Sequence, residues 1–119
     1  MAGNLRIEKI VKKNIFKIKS LNKFENEEFQ DLLSNKKIKI ERIISSGQTT
    51  PKDIWLSGKT DEWVILLKGK AGISLRSGEK INLEEGDYIF IKSGTEHRVT
   101  YTSKKPECIW LAIHGKLTD

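Results

Sequence analysis

The chain has 119 residues, 37% of them apolar, with three tryptophans and one cysteine; that is enough for a single domain with a sizeable core and too apolar for a disordered chain. No apolar run approaches the roughly 20 residues of a membrane helix, the opening "MAGNLRIEKI" carries no apolar leader, and a lone Cys108 forms no internal disulfide, so a cytoplasmic protein with no membrane partner is expected. The net charge of +6 is uneven, with 11 Lys and Arg against 6 Asp and Glu from Met1 to Arg42 and 11 against 10 beyond. The basic third has neither interleaved aromatics nor cysteine pairs, so it reads as a solvated surface and no nucleic-acid partner is expected.

Residues 1–13 read as a ragged lead-in, 14–115 as one domain and 116–119 as a tail. "NIFKIKSL" suggests a short edge strand. "ENEEFQDLLSNK" predicts a short helix: Asn26 can cap it, glutamates fill its first turn, and Phe29, Leu32 and Leu33 form an apolar stripe. The period then changes to two. "KIKIERII" puts Ile38, Ile40 and Arg42 on one face and Lys39, Glu41 and Ile43 on the other. "SSGQTTPKD" breaks the pattern, "IWLSG" reads as a short strand, and "EWVILL" is a continuous apolar strand buried on both faces. "AGISLR", the two arms of "INLEEGDYIFI", "HRVTYTS" and "CIWLAIHG" complete some eight short strands parted by glycine turns. There is no βα alternation, so a closed antiparallel barrel or jelly roll is predicted, which hides strand edges. Trp110, Leu111 and Ile113 are candidates to cover a sheet face against a second subunit.

Two stretches carry a family likeness. "DEWVILLKGKAGISL" resembles the first cupin motif and "LEEGDYIFIKSGTEHRV" the second, and the likeness runs from about Asn14 to Gly115. It implies an all-β double-stranded β-helix, the cupin jelly-roll barrel, here with one short N-terminal helix. Glu62 matches the first-motif glutamate and Gly69 its following glycine; Gly86, Gly94 and His97 match the second motif, with Lys92 where proline is usual. The positions of the family's His-x-His fall on Trp55 and Ser57, or on Leu56 and Gly58.

The resemblance implies a metal inside the barrel. Glu62 and His97 are the candidate ligands, with His114 as a third, and the ion expected is zinc, iron, manganese or nickel. Trp55, Ser57, Gln48 and Tyr101 are expected to line the pocket; Tyr101 shares the His97 face by period two. No residue is assigned a catalytic role. The function expected is a small cupin with a pocket centred on Glu62 and His97 that takes a divalent metal and a small molecule, acting as a homodimer. Two alternatives stand beside it: a non-catalytic small-molecule-binding or sensing module, and a structural dimerisation domain with a vestigial metal site.

Overall fold

The computed structural model describes residues 9–19 and 25–119, and within them it contains eight strands and no helix. They are β1 (Glu28–Ser34), β2 (Lys39–Ser45), β3 (Asp61–Lys68), β4 (Ala71–Leu75), β5 (Lys80–Leu83), β6 (Tyr88–Ile91), β7 (His97–Thr102) and β8 (Cys108–Gly115). A five-stranded sheet runs β1-β2-β8-β3-β6 and a three-stranded sheet runs β5-β4-β7, with antiparallel pairing throughout. The two sheets enclose the core, built from Val64, Leu66, Ala71, Ile73, Leu83, Ile91, Cys108, Trp110 and Ala112. This is the predicted all-β double-stranded arrangement.

The predicted helix is a strand. Residues 28–34 form β1, paired antiparallel with β2 from Glu28 opposite Ile44 to Ser34 opposite Lys39. Propensity is a weak prior, and an isolated helix of two turns is marginal in water. The open edge of β2 offers a ladder of backbone hydrogen bonds instead, and the intervening turn favours a hairpin. Asn35 Oδ1 accepts from Lys37 N–H at 2.7 Å and Ile38 N–H at 2.8 Å, a local turn lock typical of asparagine. Leu32 is an extra residue in the register. Of the edge strand expected over 14–21, residues 20 and 21 lie outside the described residues, and a turn occupies its start, Lys17 N–H donating to Asn14 O at 3.1 Å.

Gly69 closes the tight β3–β4 connection with φ of +94°. An added Cβ there would stand 2.8 Å from Ser103 Oγ and 2.9 Å from Cys108 Sγ, so both backbone conformation and space require glycine. The predicted strand "IWLSG" reduces to a single bridge, Leu56 to His97. This segment runs beside β7, with Leu56 N–H donating to His97 O at 2.7 Å and Thr50 N–H to Val99 O at 2.9 Å.

Candidate functional site

A cavity of about 440 Å³ lies between the sheets, at the small end of the range for small-molecule sites. Its apolar part comes from alternating inward positions of five strands: Val64, Ile73, Ile91, Val99 and Trp110. Four strands contribute titratable side chains to it: Glu41 on β2, Glu62 on β3, His97 on β7 and His114 on β8.

Strand order explains how three of these meet. β8 lies between β2 and β3, so His114 has Lys39 opposite on one side and Glu62 opposite on the other. Glu41 lies two residues beyond Lys39, on the same face. His114 Nε2 stands 2.7 Å from Glu41 Oε1 and 4.0 Å from Glu62 Oε2. Lys39 Nζ lies 3.4 Å from the other Glu41 oxygen. Glu41 is thus buried with two partners (4% exposed), as a buried carboxylate must be.

His97 enters from the other sheet and is buried. Its Nδ1 lies 2.9 Å from the carbonyl oxygen of Thr95; a carbonyl only accepts, so Nδ1–H donates and Nε2 is the nitrogen left for a ligand. Burial raises the pKa of Glu62, while the charges of His114 and His97 act the other way and that of Glu41 reinforces the rise. A carboxyl whose pKa burial raises and an imidazole whose Nε2 has no hydrogen-bond partner among the described residues therefore line one cavity. Such a pair can donate and accept protons on one ligand.

Of the residues expected at the site, Glu62, Ser57, His97 and His114 line the cavity. Trp55, Gln48 and Tyr101 do not. Trp55 has the guanidinium of Arg76 5.9 Å and that of Arg98 5.7 Å from its ring centre, a cation–π clamp outside the cavity. Gln48 turns back on its own loop, its Oε1 accepting from Ser46 N–H, while the neighbouring Thr49 and Thr50 line the cavity. Tyr101 is exposed because β7 carries a bulge. Val99 pairs with Ile73 and Tyr101 with Gly72, leaving Thr100 as an extra residue, and one extra residue reverses the facing of all that follow.

Sequence reasoning missed Glu41, whose one signal was alternation with Ile43 on β2. It also missed Asp61, which is buried beside Glu62. One Asp61 oxygen accepts from Ser93 N–H at 2.9 Å, and the other from Leu117 N–H at 3.0 Å and Thr118 N–H at 3.2 Å. The Ser93 bond, followed by those from Leu117 and Thr118, holds the Asp61 carboxyl below its usual pKa. Asp61 fastens the "KSGT" turn and residues 117–118 at the end of the cavity.

The family model described as a cupin domain matches residues 44–114. The chain belongs to the cupin family. A search of curated proteins finds no match. Among solved structures, this cupin is similar to one from Ralstonia eutropha JMP134, provisionally assigned as a mannose-6-phosphate isomerase. Identity is 33% and the TM-score 0.80, over 90% of this chain and 99% of that one. An RmlC-like cupin of double-stranded β-helix fold from Methanocaldococcus jannaschii superposes with a TM-score of 0.68 at 17% identity, over 93% of each chain. The polyketide cyclase RemF from Streptomyces resistomycificus superposes with a TM-score of 0.64 at 18% identity, over 76% of this chain and 66% of that one. The last two likenesses concern the fold alone.

Cupins commonly bind a metal, which invites a test of fit. Among the described residues, no three His, Cys, Asp or Glu groups are arranged to hold an ion. The reason lies at His114: whichever partner carries the shared proton, the Nε2 direction is filled by Glu41. As arranged, His114 and Glu41 are hydrogen-bonded to each other, and the four side chains do not offer a divalent ion a set of ligands.

Proposed function

We propose that this cupin, as a domain spanning 14–115, binds a small organic molecule in the inter-sheet cavity and exchanges protons with it through Glu62 and His97. His114 acts as a positioning residue, held by Glu41. One observation carries the reading: the chain has two histidines, and both line the same cavity, from opposite sheets, together with Glu62. A cavity that served packing alone would have no use for this convergence of polar groups, each of which costs free energy to bury. Moving a proton between neighbouring atoms of a bound molecule needs a donor and an acceptor, and a carboxyl facing an imidazole can supply both.

The two histidines also supply the test. Their ring C–H resonances in the full chain report the cavity directly. A small molecule that binds there shifts both, and the Glu62→Leu variant weakens it. Ligands that shift neither histidine overturn the reading. The alternative, a divalent ion on Glu62, His97 and His114, is decided by elemental analysis of protein purified without added metal. Stoichiometric zinc, iron, manganese or nickel that disappears in Glu62→Gln replaces the acid–base reading; trace metal leaves it standing.

A homodimer is part of the same proposal. On the outer face of the five-stranded sheet, Phe90, Trp63, Ile113 and Ile40 sit side by side across four strands, and Tyr88, Ile65 and Leu111 form a second row. Phe90 is 44% and Tyr88 63% exposed, a contiguous apolar surface of the kind that pairs with a second copy. Trp110, one of the residues expected there, faces the cavity instead. The buried free thiol of Cys108 suits a reducing compartment, and the cytoplasm is the one this reading takes.

A further inference from the structure

We propose that the ligand of this cavity is an uncharged, hydroxyl-bearing molecule with an apolar body, and that phosphorylated and carboxylated compounds are excluded. The proposal rests on the reading of the cavity as a small-molecule site and names the chemistry that the site accepts.

Charge around the cavity is the first ground. Three carboxyl groups line it, those of Glu27, Glu41 and Glu62, while Lys92 is the one lysine or arginine among the lining residues. Lys92 is exposed, and its Nζ donates to Thr118 Oγ1 at 3.3 Å. No arginine among the described residues lines the cavity. Arg42 Nε donates to Gln30 Oε1 at 2.7 Å, Arg76 pairs with Glu96 at 2.6 Å, and Arg98 lies over Trp55, with Nη2 donating to Thr50 O at 3.4 Å and Nε buried without a hydrogen-bond partner among the described residues. No helix occurs among the described residues, so none offers its N-terminal amides to a phosphate. Phosphate recognition relies on arginine forks, lysines or such amides, and here an anion would meet carboxylates instead.

The second ground is the pairing already present. Glu41 is matched by His114 and Lys39, and Glu27 accepts from Ser45 Oγ at 2.6 Å. That leaves Glu62 and His97 to meet the ligand. Neither the Glu62 carboxyl nor His97 Nε2 has a hydrogen-bond partner among the described residues, His114 Nε2 standing 4.0 Å from Glu62 Oε2. A hydroxyl suits such a pair because it both accepts with its oxygen and donates with its hydrogen. An ammonium would lose its hydration among Val64, Ile73, Val99 and Trp110. Those side chains form the apolar wall that a hydrocarbon body would fill.

The test titrates the 119-residue chain with four probes built on one ring and follows the two histidine ring signals. The probes are cyclohexanol, cyclohexylamine, cyclohexanecarboxylate and cyclohexyl phosphate. Cyclohexanol is expected to give a saturating shift, the other three to bind roughly tenfold more weakly or worse. Glu62→Gln, which keeps a polar terminus and the side-chain volume, is expected to hold cyclohexanol within about threefold, whereas Glu62→Leu weakens it by about tenfold. A charged probe binding as tightly as cyclohexanol overturns the ligand class and leaves the cavity as a binding site. If no probe moves either histidine, the cavity reading falls and the ligand class with it.

Discussion

His114 Nε2 lies 2.7 Å from Glu41 Oε1, across the pairing of β8 with β2. This contact occupies the nitrogen that would otherwise be free for a ligand, and it leaves Glu62 as the carboxyl at the site without a matched partner at hydrogen-bond distance. The Glu41→Ala variant is expected to strand both His114 and Lys39, destabilising the fold by about 1–3 kcal/mol. Chemical denaturation of the two proteins checks this, and a loss well below that range would mean that the pair contributes nothing in solution.

Burial raises the Glu62 pKa, and the sign of its effect on stability follows. The folded state holds this proton more tightly than the unfolded chain does, so the contribution is fully present in acid and is lost as pH rises from the ordinary carboxylate value of 4.5 through the raised folded value. Groups facing Glu62 are His114 from β8, His97 from β7, and Glu41 and Lys39 from β2. Glu62→Gln cannot ionise. It is expected to melt higher than the parent at neutral pH, with the gap closing towards pH 4. Melting curves across that range decide the point, and a constant gap would place the pH dependence elsewhere.

Asp61 behaves with the opposite sign. Its folded pKa is lowered from 3.8, first by the Ser93 amide, so its stabilisation is present above that value and is lost as pH falls through the folded value. Asp61→Asn keeps the shape but has one accepting oxygen instead of two. The variant is expected to melt below the parent at neutral pH and to match it in strong acid. Hydrogen exchange at the Ser93, Leu117 and Thr118 amides should accelerate at neutral pH, and unchanged protection there would refute the clamp.

Gly69→Ala puts a Cβ within 3 Å of Ser103 Oγ and Cys108 Sγ at a left-handed backbone position. The expected cost is about 2 kcal/mol or more, read by denaturant melting. Gly78→Ala makes the comparison. Its φ of +107° is also left-handed, but nothing lies within 4 Å of the added carbon, so the difference between the variants isolates the crowding at Gly69.

Trp63→Glu places a charge in the outer apolar row beside Phe90 and Ile113. It is expected to convert a dimer to a folded monomer in sedimentation velocity. A parent chain that is monomeric at high micromolar concentration would remove the interface proposal.

Much of the fold was legible because unbroken alternation marks its inner faces. Glu62, Val64 and Leu66 on β3 and Trp110, Ala112 and His114 on β8 point inward as period two requires. The errors share a physical cause, the breaking of that period by contacts distant in sequence. Tyr101 was expected inside by counting from His97, but Thr100 adds a residue that counting cannot see. Residues 28–34 have a helical stripe, yet the free edge of β2 recruits them. Glu41 looks like any charge between Lys39 and Arg42 until strand order brings His114 beside it. Trp55 was expected in the pocket, and its clamp depends on arginines 21 and 43 residues further along.

The bulge in β7 gives the two halves of that strand different partners. Its first half presents His97 and Val99 to the cavity. Its second half turns Thr102 inward, where Thr102 Oγ1 donates to Gln48 O at 2.6 Å. Taking Thr100 into the regular ladder would act like a frameshift of faces, driving the Tyr101 ring towards the space that Thr102 fills and breaking the bond to Gln48, whereas deleting Thr100 would leave both facings as they are. One unpaired residue thus lets a single strand serve the cavity with His97 and Val99 and the Gln48 seam with Thr102, while the Tyr101 ring stays outside.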